Sequence, residues 1–201
     1  MAQMKSALLL SGGMDSVAIA FWIRPAFGIT VLYGQKAAEA ELYASKAVCN
    51  SLGIEHHVIE TDLSALGSGD MVGRTADPLA PASEWWPFRN QMLITLGAMK
   101  AIQVGAKELL IGCLRTDGFH ADGRMSFVSD MSRLLSMQEG ALTVRAPAIE
   151  FSAAELIKVS GVPIDILAWA HSCHVSSHAC GMCRGCRKHY ETLEELGHAP
   201  Y

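Results

Sequence analysis

Short apolar segments alternate along this chain with longer helical segments, and this alternation constrains the fold more than any other feature. The apolar segments cover residues 5–10, 29–33, 55–59 and 108–111. The helical segments between them cover residues 14–23, 37–52 and 89–104. Such an alternation predicts an α/β fold, with a parallel sheet and crossover helices on both faces. Ligands of these sheets bind outside the carboxyl ends of the strands.

The first apolar segment ends at the loop Ser11-Gly12-Gly13-Met14-Asp15-Ser16, and a helical segment begins there. Two adjacent glycines let a bound group approach the backbone, and the N–H groups at a helix start favour an anion. The loop has neither the Gly-Lys-Ser/Thr of a Walker loop nor the Gly-x-Gly-x-x-Gly of a dinucleotide-binding loop. It predicts a pyrophosphate site that needs no lysine. An ordinary strand–helix turn, with Ser or Asp as the helix cap, is the alternative.

Charge and hydropathy exclude several classes of function. The net charge of −4 over 201 residues argues against a broad basic surface for nucleic acid, so a small substrate is expected. No apolar run approaches the roughly 18 to 20 residues of a membrane span, and the first apolar run is too short for the core of a signal peptide. We therefore expect a cytoplasmic protein that contacts no membrane.

Four of the six cysteines crowd into the last part of the chain with the spacing Cys-x6-Cys-x2-Cys-x2-Cys; they are Cys173, Cys180, Cys183 and Cys186. Four thiolates at this spacing predict a closed, structural zinc site. Free thiols, disulfides and an iron–sulfur cluster are alternatives, and His174 or His178 could replace one cysteine. We expect a nucleotide-binding α/β domain over residues 1–165 and a zinc-binding segment over residues 166–201.

Other segments allow narrower predictions. Residues 61–87 show no period and contain several Gly and Pro, which predicts a long loop: a lid, a binding loop or a disordered segment. Trp85 and Trp86 in this loop either stack on a base or, as is commoner, pack the loop on the core. Ser152 and Glu155 form a capping box that opens a helix ending at Gly161. The isolated Cys49 and Cys113 are expected to be buried thiols, and His56 and His57 to be alternating strand residues.

The loop at residues 11–16 resembles the signature of the PP-loop ATP pyrophosphatase superfamily, in which it binds the phosphates that leave as pyrophosphate. Over nearly the whole chain, further stretches resemble the QueC family, the 7-cyano-7-deazaguanine synthases, in the same order. These stretches are Tyr33-Gly34-Gln35-Lys36 with Glu41, Trp86-Pro87-Phe88-Arg89-Asn90, Thr116-Asp117, Ala146-Pro147-Ala148 with Ser152, and the region from His171-Ser172-Cys173 to Arg187.

The resemblance implies ATP-dependent activation of 7-carboxy-7-deazaguanine. The carboxylate attacks the α-phosphate, ammonia displaces AMP to give an amide, and a second adenylation leaves the nitrile. Such chemistry needs alignment and charge stabilisation rather than a protein nucleophile. ATP, Mg²⁺ and Zn²⁺ are the implied cofactors, the deazaguanine acid and ammonia the implied substrates, and a homodimer the implied assembly.

The resemblance also implies roles for individual residues. The loop residues Ser11, Gly12, Gly13, Met14 and Ser16 would hold the phosphates, and Asp15 would bond within the loop or help to place Mg²⁺. Gln35 and Lys36 would lie beside the phosphates, where Lys36 could neutralise their charge. Arg89, Asn90 and Asp117 would recognise the adenylate or the deazaguanine. A solvated helix or loop surface is the alternative for Lys36 and Arg89.

The chain departs from the family pattern where the second substrate is expected. Residues 118–124 are Gly-Phe-His-Ala-Asp-Gly-Arg, whereas the family has Tyr-Ser-Gly-Tyr-Pro-Asp-Cys-Arg, and His171 replaces a Trp. Two other functions stay open for this reason. A QueC-like enzyme of a defence gene cluster would join the activated deazaguanine to a protein amine and stop at the amide. Another PP-loop ligase or tRNA-modifying enzyme would use a different substrate. A non-enzymatic zinc-binding scaffold is a further alternative, and a failure to bind ATP would reveal it.

Overall fold

Five parallel strands form one sheet in the order β3-β2-β1-β4-β5 in the computed structural model, which describes residues 5–199. The strands are β1 (Ser6–Leu9), β2 (Phe27–Leu32), β3 (Glu55–Glu60), β4 (Glu108–Leu110) and β5 (Thr143–Arg145). The predicted α/β fold with a parallel sheet is therefore confirmed.

Helices cover both faces of the sheet. They are α1 (Met14–Ile23), α2 (Ala38–Leu52), α3 (Arg89–Gln103), α4 (Met125–Ser136), α5 (Ala153–Ser160), α6 (Ile164–Leu167) and α7 (Arg184–Glu195). Side chains of α3 and α4 share one buried cluster with one face of the sheet. Side chains of α1, α2, α5, α6 and α7 share the cluster on the other face. The C-terminal helix is thus packed on the same core as the helix that follows the first strand.

The alternation of side chains in β1 supplies both clusters. Ala7 is buried in the α3/α4 cluster, whereas Leu8 and Leu10 are buried in the opposite one. Because successive residues of a strand point to opposite faces, a strand covered on both sides is apolar throughout. This explains why residues 7–10 form an unbroken apolar run.

The strand order places a crevice at the carboxyl end of β1. The chain runs outward from β1 to β2 and β3 on one side, then returns through α3 to β4 on the other side of β1 and runs outward to β5. The loops after β1 and β4 therefore separate in opposite directions and leave room between them, which is the usual position of a ligand in such sheets.

Several elements differ from the sequence predictions. Strand β2 begins at Phe27, two residues before the predicted segment. Strand β5 and helices α4 and α6 were not predicted. The segment at residues 61–87 contains two short 3-10 helices, Ser64–Leu66 and Gly69–Met71, and is otherwise a loop.

Aromatic packing attaches the 61–87 loop to the core. Trp86 is buried, and its ring meets that of Tyr33 edge to face, with the ring centres 5.0 Å apart. Trp86 therefore packs the loop on the core, the commoner of the two predicted uses. Cys49 and Cys113 are both buried thiols, as predicted. Between residues 5 and 199, no helix combines the length and the apolar character that crossing a membrane requires.

The predicted capping box opens α5. Ser152 Oγ accepts a hydrogen bond from Glu155 N at 3.2 Å, and Glu155 Oε2 accepts one from Ser152 N at 2.7 Å. We expect Ser152→Ala to lower the free energy of unfolding by about 1 kcal/mol, because an N–H group of the first turn loses its partner. Ser136→Ala, at the exposed end of α4, is the control and should change it by less than about 0.5 kcal/mol. Urea unfolding measures both, and equal losses would contradict the expectation.

Candidate active site

A cavity of about 330 Å³ lies at the carboxyl ends of the strands, in the crevice that the strand order creates. Its walls come from the loop at residues 11–16, the start of α3, the segment after β4, the 61–87 loop and the C-terminal tail. The volume falls at the lower end of the range typical of small-molecule sites. The cavity is therefore the place where the predicted phosphate loop can meet a second substrate.

Hydrogen bonds within the 11–16 loop fix its shape. Ser16 Oγ donates to Gly13 O at 2.9 Å, and Gly13 N donates to Ser11 Oγ at 3.3 Å. The two serine hydroxyls also lie 3.3 Å apart. Gly13 occupies the N-cap position of α1 and has no side chain. The N–H groups in the first turn of this helix therefore receive no hydrogen bond from an N-cap side chain. Such a loop suits an anion.

Gly12 brings the loop against α2. Its φ of +75° lies in the left-handed region, and a Cβ there would lie 2.8 Å from both Glu41 O and Ala44 Cβ. Gly12 O accepts a hydrogen bond from His171 N at 2.8 Å. The first loop of the sheet is thereby joined directly to the C-terminal tail.

A lysine from α7 lies between two aspartates of the cavity. Lys188 Nζ is 2.7 Å from Asp15 Oδ2 and 3.6 Å from Asp117 Oδ1. Burial lowers the pKa of Lys188, but the two carboxylates outweigh it and hold that pKa above its ordinary value, so the ammonium stays charged. Burial raises the pKa of Asp15, and Lys188 opposes that rise.

A second charged group lies below the loop. Glu41 lines the cavity, and its Oε2 accepts a hydrogen bond from Gln35 Nε2 at 2.8 Å. Burial raises the pKa of Glu41, while Gln35 and the positive charge of Arg89 act against that rise. Gln35 is itself buried and accepts a hydrogen bond from Tyr33 N. Gln35 thus positions the carboxylate of Glu41.

Polar groups from α3 and from the segment after β4 form the far wall. Asn90 Nδ2 donates to Asp122 O at 3.3 Å, which links the start of α3 to the region that departs from the family pattern. Asp117 Oδ2 accepts from Leu114 N at 2.9 Å, so this carboxylate is held by its own turn. Asn90, Asp117 and Asp122 all face the cavity.

An ion pair connects the 61–87 loop to the tail. Glu84 is buried, and its Oε1 accepts a hydrogen bond from Arg184 Nη1, while His120 Nε2 lies 3.4 Å from the same oxygen. Burial raises the pKa of Glu84, but the hydrogen bonds that it accepts bring the pKa below its usual value. The three side chains line the cavity from three separate segments of the chain.

The four cysteines of the tail come together in space. The sulfurs of Cys173, Cys180, Cys183 and Cys186 all lie within 4.8 Å of one another. Cys180 Sγ is 3.9 Å from Cys186 Sγ, and Cys183 Sγ is 4.0 Å from Cys173 Sγ. A tetrahedral ion at about 2.3 Å from each thiolate holds its sulfurs roughly 3.8 Å apart, so this cluster could bind one metal ion.

Most of the predicted site residues line one cavity: Ser11, Gly13, Met14, Asp15, Ser16, Arg89, Asn90 and Asp117. Three predicted residues lie elsewhere. Gly12 faces α2, Gln35 is buried beneath Glu41, and Lys36 is exposed outside the cavity with its Nζ over Gly73. The structure therefore does not bring Lys36 to the phosphate loop.

Sequence reasoning missed several side chains that the fold brings to the cavity: Glu84, His120, His171, His174, Arg184 and Lys188. Four of these belong to the tail around the cysteine cluster. The cysteine spacing could have indicated these four side chains, because a metal site at the start of a helix also fixes the positions of the neighbouring side chains.

Comparisons with known proteins give matches over nearly the whole chain. The family model described as "Queuosine biosynthesis protein QueC" matches residues 5–197. Three curated proteins named 7-cyano-7-deazaguanine synthase are among the relatives. That of Chlorobaculum parvum is 29% identical, over 96% of this chain and 93% of its own. That of Acinetobacter baylyi is 27% identical, over 96% of this chain and 92% of its own. That of Methanosarcina barkeri is 29% identical, over 96% of this chain and 95% of its own.

A solved structure shares the fold at lower similarity. It is the U34-tRNA thiolase NcsA from Methanococcus maripaludis with its [4Fe-4S] cluster, at a TM-score of 0.52 and 17% identity. The match covers 96% of this chain and 66% of the thiolase. At this level of identity the likeness concerns the fold alone.

Proposed function

The chain belongs to the QueC family of queuosine biosynthesis proteins, and from this premise we propose that it converts 7-carboxy-7-deazaguanine to 7-cyano-7-deazaguanine with ATP and ammonia. As a QueC-type enzyme it is an ATP-dependent ligase. The observation that carries the proposal is the cavity itself, in which the phosphate loop, Asp15, Arg89, Asn90 and Asp117 surround one space.

The proposed reaction uses two molecules of ATP. A substrate carboxylate oxygen attacks the α-phosphate, the bond to the β-phosphate breaks, and pyrophosphate leaves. Ammonia then displaces AMP, which carries away one carboxylate oxygen, and an amide results. The amide oxygen attacks a second α-phosphate, and loss of that AMP with the nitrogen protons leaves the nitrile. Each step needs a charged group to be aligned and its charge to be offset.

The residues of the cavity can supply those functions. Ser11 and Ser16 would offer their hydroxyls to the phosphates, beside the N–H groups in the first turn of α1, which Gly13 leaves without a side-chain cap. Arg89 adds positive charge on the opposite wall, and Asn90 and Asp117 offer an amide and a carboxylate to the donors and acceptors of a purine-like base. The predicted roles of Lys36 and Gln35 stay predictions, since neither side chain lines the cavity.

The donor atoms present fit both proposed metals. Asp15 Oδ1 is buried without a hydrogen-bond partner in the described part of the chain, and carboxylate oxygens suit Mg²⁺. Mg²⁺ would supply positive charge to the phosphates. The four thiolates of the tail would hold Zn²⁺, whose role there is structural because a Cys₄ site is closed. The sulfurs, all within 4.8 Å of one another, would suit a single tetrahedral ion.

A second function is favoured by the departures from the family at the far wall. His120 belongs to the 118–124 segment, where the family has its Tyr and Pro, and it lines the cavity beside Glu84 of the 61–87 loop. An enzyme with an altered acceptor side could adenylate the deazaguanine carboxylate and transfer it to an amine, including a protein amine, and so stop at the amide. The homodimer, the two-part division at residue 165 and the cytoplasmic location stay predictions alongside both functions.

Product analysis tests the proposal. Purified protein is incubated with ATP, Mg²⁺ and 7-carboxy-7-deazaguanine, with and without ammonium, and the products are identified by mass spectrometry while pyrophosphate is counted. We expect nitrile only with ammonium and two pyrophosphates for each nitrile. One pyrophosphate for each amide, without nitrile, would support the second function. An absence of ATP turnover with this acid would contradict both.

A further inference from the structure

The phosphate loop offers hydroxyls and N–H groups but no positively charged side chain. The lysine that the sequence predicts for this purpose, Lys36, is exposed and lies outside the cavity. Two carboxylates, Asp15 and Asp117, face the same space and would repel a polyphosphate. Offsetting this repulsion needs positive charge beside the loop, in addition to Mg²⁺ and to Arg89 on the opposite wall.

Lys188 meets that need. Its Nζ lies in the cavity 2.7 Å from Asp15 Oδ2, while a third of its side chain stays exposed. The ammonium therefore lies against Asp15, near the end of the phosphate loop, and can still reach a ligand. We infer that Lys188 binds the phosphates of ATP and offsets the charge that develops on the departing pyrophosphate. The inference rests on the proposed function only in its use of ATP.

The cysteine cluster determines where Lys188 lies. Cys183 caps α7, with its Sγ accepting from Cys186 N at 3.5 Å, and Lys188 follows Cys186 by two residues on that helix. A closed metal site would hold the first turn of α7 rigidly. The cluster would then act on catalysis through Lys188, although none of its sulfurs touches substrate.

Binding measurements with ATP and AMP test this role without the second substrate. We expect Lys188→Met to weaken ATP binding by about 10- to 100-fold, which corresponds to one charge-assisted contact. AMP binding should change by less than about threefold, because AMP lacks the β- and γ-phosphates. A residue that merely supported the fold would lower both affinities together, so the difference between the two nucleotides identifies a phosphate contact.

Two further lysine variants complete the experiment. Lys36→Met tests the rival assignment, and Lys158→Met removes one positive charge from an exposed position on α5 outside the cavity. Neither should change ATP affinity more than about twofold. If Lys188→Met lowers the melting temperature, Lys188→Gln, which can still donate to Asp15, takes its place.

The possible outcomes separate this inference from the proposed function. Unchanged ATP affinity in the Lys188 variant, or equal losses for ATP and AMP, would overturn the inference and leave the product assay untouched. A selective loss for ATP would support it, even if the product assay yielded no nitrile. A loss of ATP binding in Lys36→Met alone would return the role to Lys36.

Discussion

Gly185→Ala is expected to abolish stable metal binding and ATP-dependent turnover, although it removes no cysteine. Gly185 lies between Cys183 and Cys186 at the start of α7. A Cβ at this position would lie 1.9 Å from Ser172 O and 2.8 Å from ring atoms of His174. Real Cβ atoms do not approach a backbone oxygen so closely, so the chain around Cys173 would have to move away from the other three cysteines.

Metal content after gel filtration measures the first part of this expectation. Wild-type protein should retain about one zinc ion for each chain, and the Gly185 variant should retain almost none. Gly118→Ala is the matched control, because no atom lies within 4 Å of the Cβ that it would add. A Gly185 variant that kept both its zinc and wild-type turnover would show that the tail can close in another way.

The inner strands β1 and β4 and the edge strand β3 could be predicted from the sequence because local patterns mark them. Strands β1, β3 and β4 and helices α1 to α3 lie close to their predicted positions. Strands β1 and β4 carry apolar runs, β3 is half apolar, the helices have regular helical spacing, and glycines separate these segments. The turn at residues 11–16 could be predicted as well, because its glycines and serines determine the local conformation through hydrogen bonds within the turn.

The elements that were missed have weak local signals. Strand β5 has three residues, of which only Val144 is buried, so no period can be detected. Helix α4 contains four serines and one aspartate, which favour caps and turns over helix interiors, and only Val128 and Met131 bury its apolar side. Both elements form because β4, α3 and the sheet edge surround them, which is tertiary information.

The lysine beside the phosphate loop shows a second limit of prediction from sequence, which concerns contacts between distant parts of the chain. The sequence predicts Lys36 because it follows a strand end, but the buried side chain at that end is Gln35 and its neighbour Lys36 faces solvent. Lys188 is separated from Asp15 by 173 positions, and only the closure of the tail over the sheet brings them together. A contact of this kind depends on topology and cannot be found by spacing.

The tail therefore shares both the cavity and the buried core with the α/β part of the molecule. It supplies Lys188 and Arg184 to the cavity, and His171 N donates a hydrogen bond to Gly12 O in the phosphate loop. Leu193 of α7 is buried in the same cluster as α1. Loss of the metal would for this reason be expected to disturb ATP binding before it disturbs the sheet, because the loop and the tail share contacts.

Gly12→Ala should lower ATP affinity by at least about 100-fold, the largest effect that we expect from one added methyl group. Two costs combine at this position. A left-handed backbone costs an alanine roughly 1 to 2 kcal/mol, and the new Cβ would lie 2.8 Å from Glu41 O and from Ala44 Cβ on α2. The backbone between Ser11 and Gly13 would have to leave α2, and the N–H groups proposed to bind the phosphates would move with it.

Gly53→Ala separates these two costs. Gly53 also has a left-handed conformation, with φ of +67°, but nothing lies within 4 Å of the Cβ that it would gain. This variant should unfold about 1 kcal/mol more readily and bind ATP like the wild type, as urea unfolding and calorimetric titration would show. Equal ATP affinities in the Gly12 variant and the wild type would mean that the loop can leave α2 at no cost to the phosphate site. The hydrogen bonds among Ser11, Gly13 and Ser16 would then be sufficient to form that site without the support of α2.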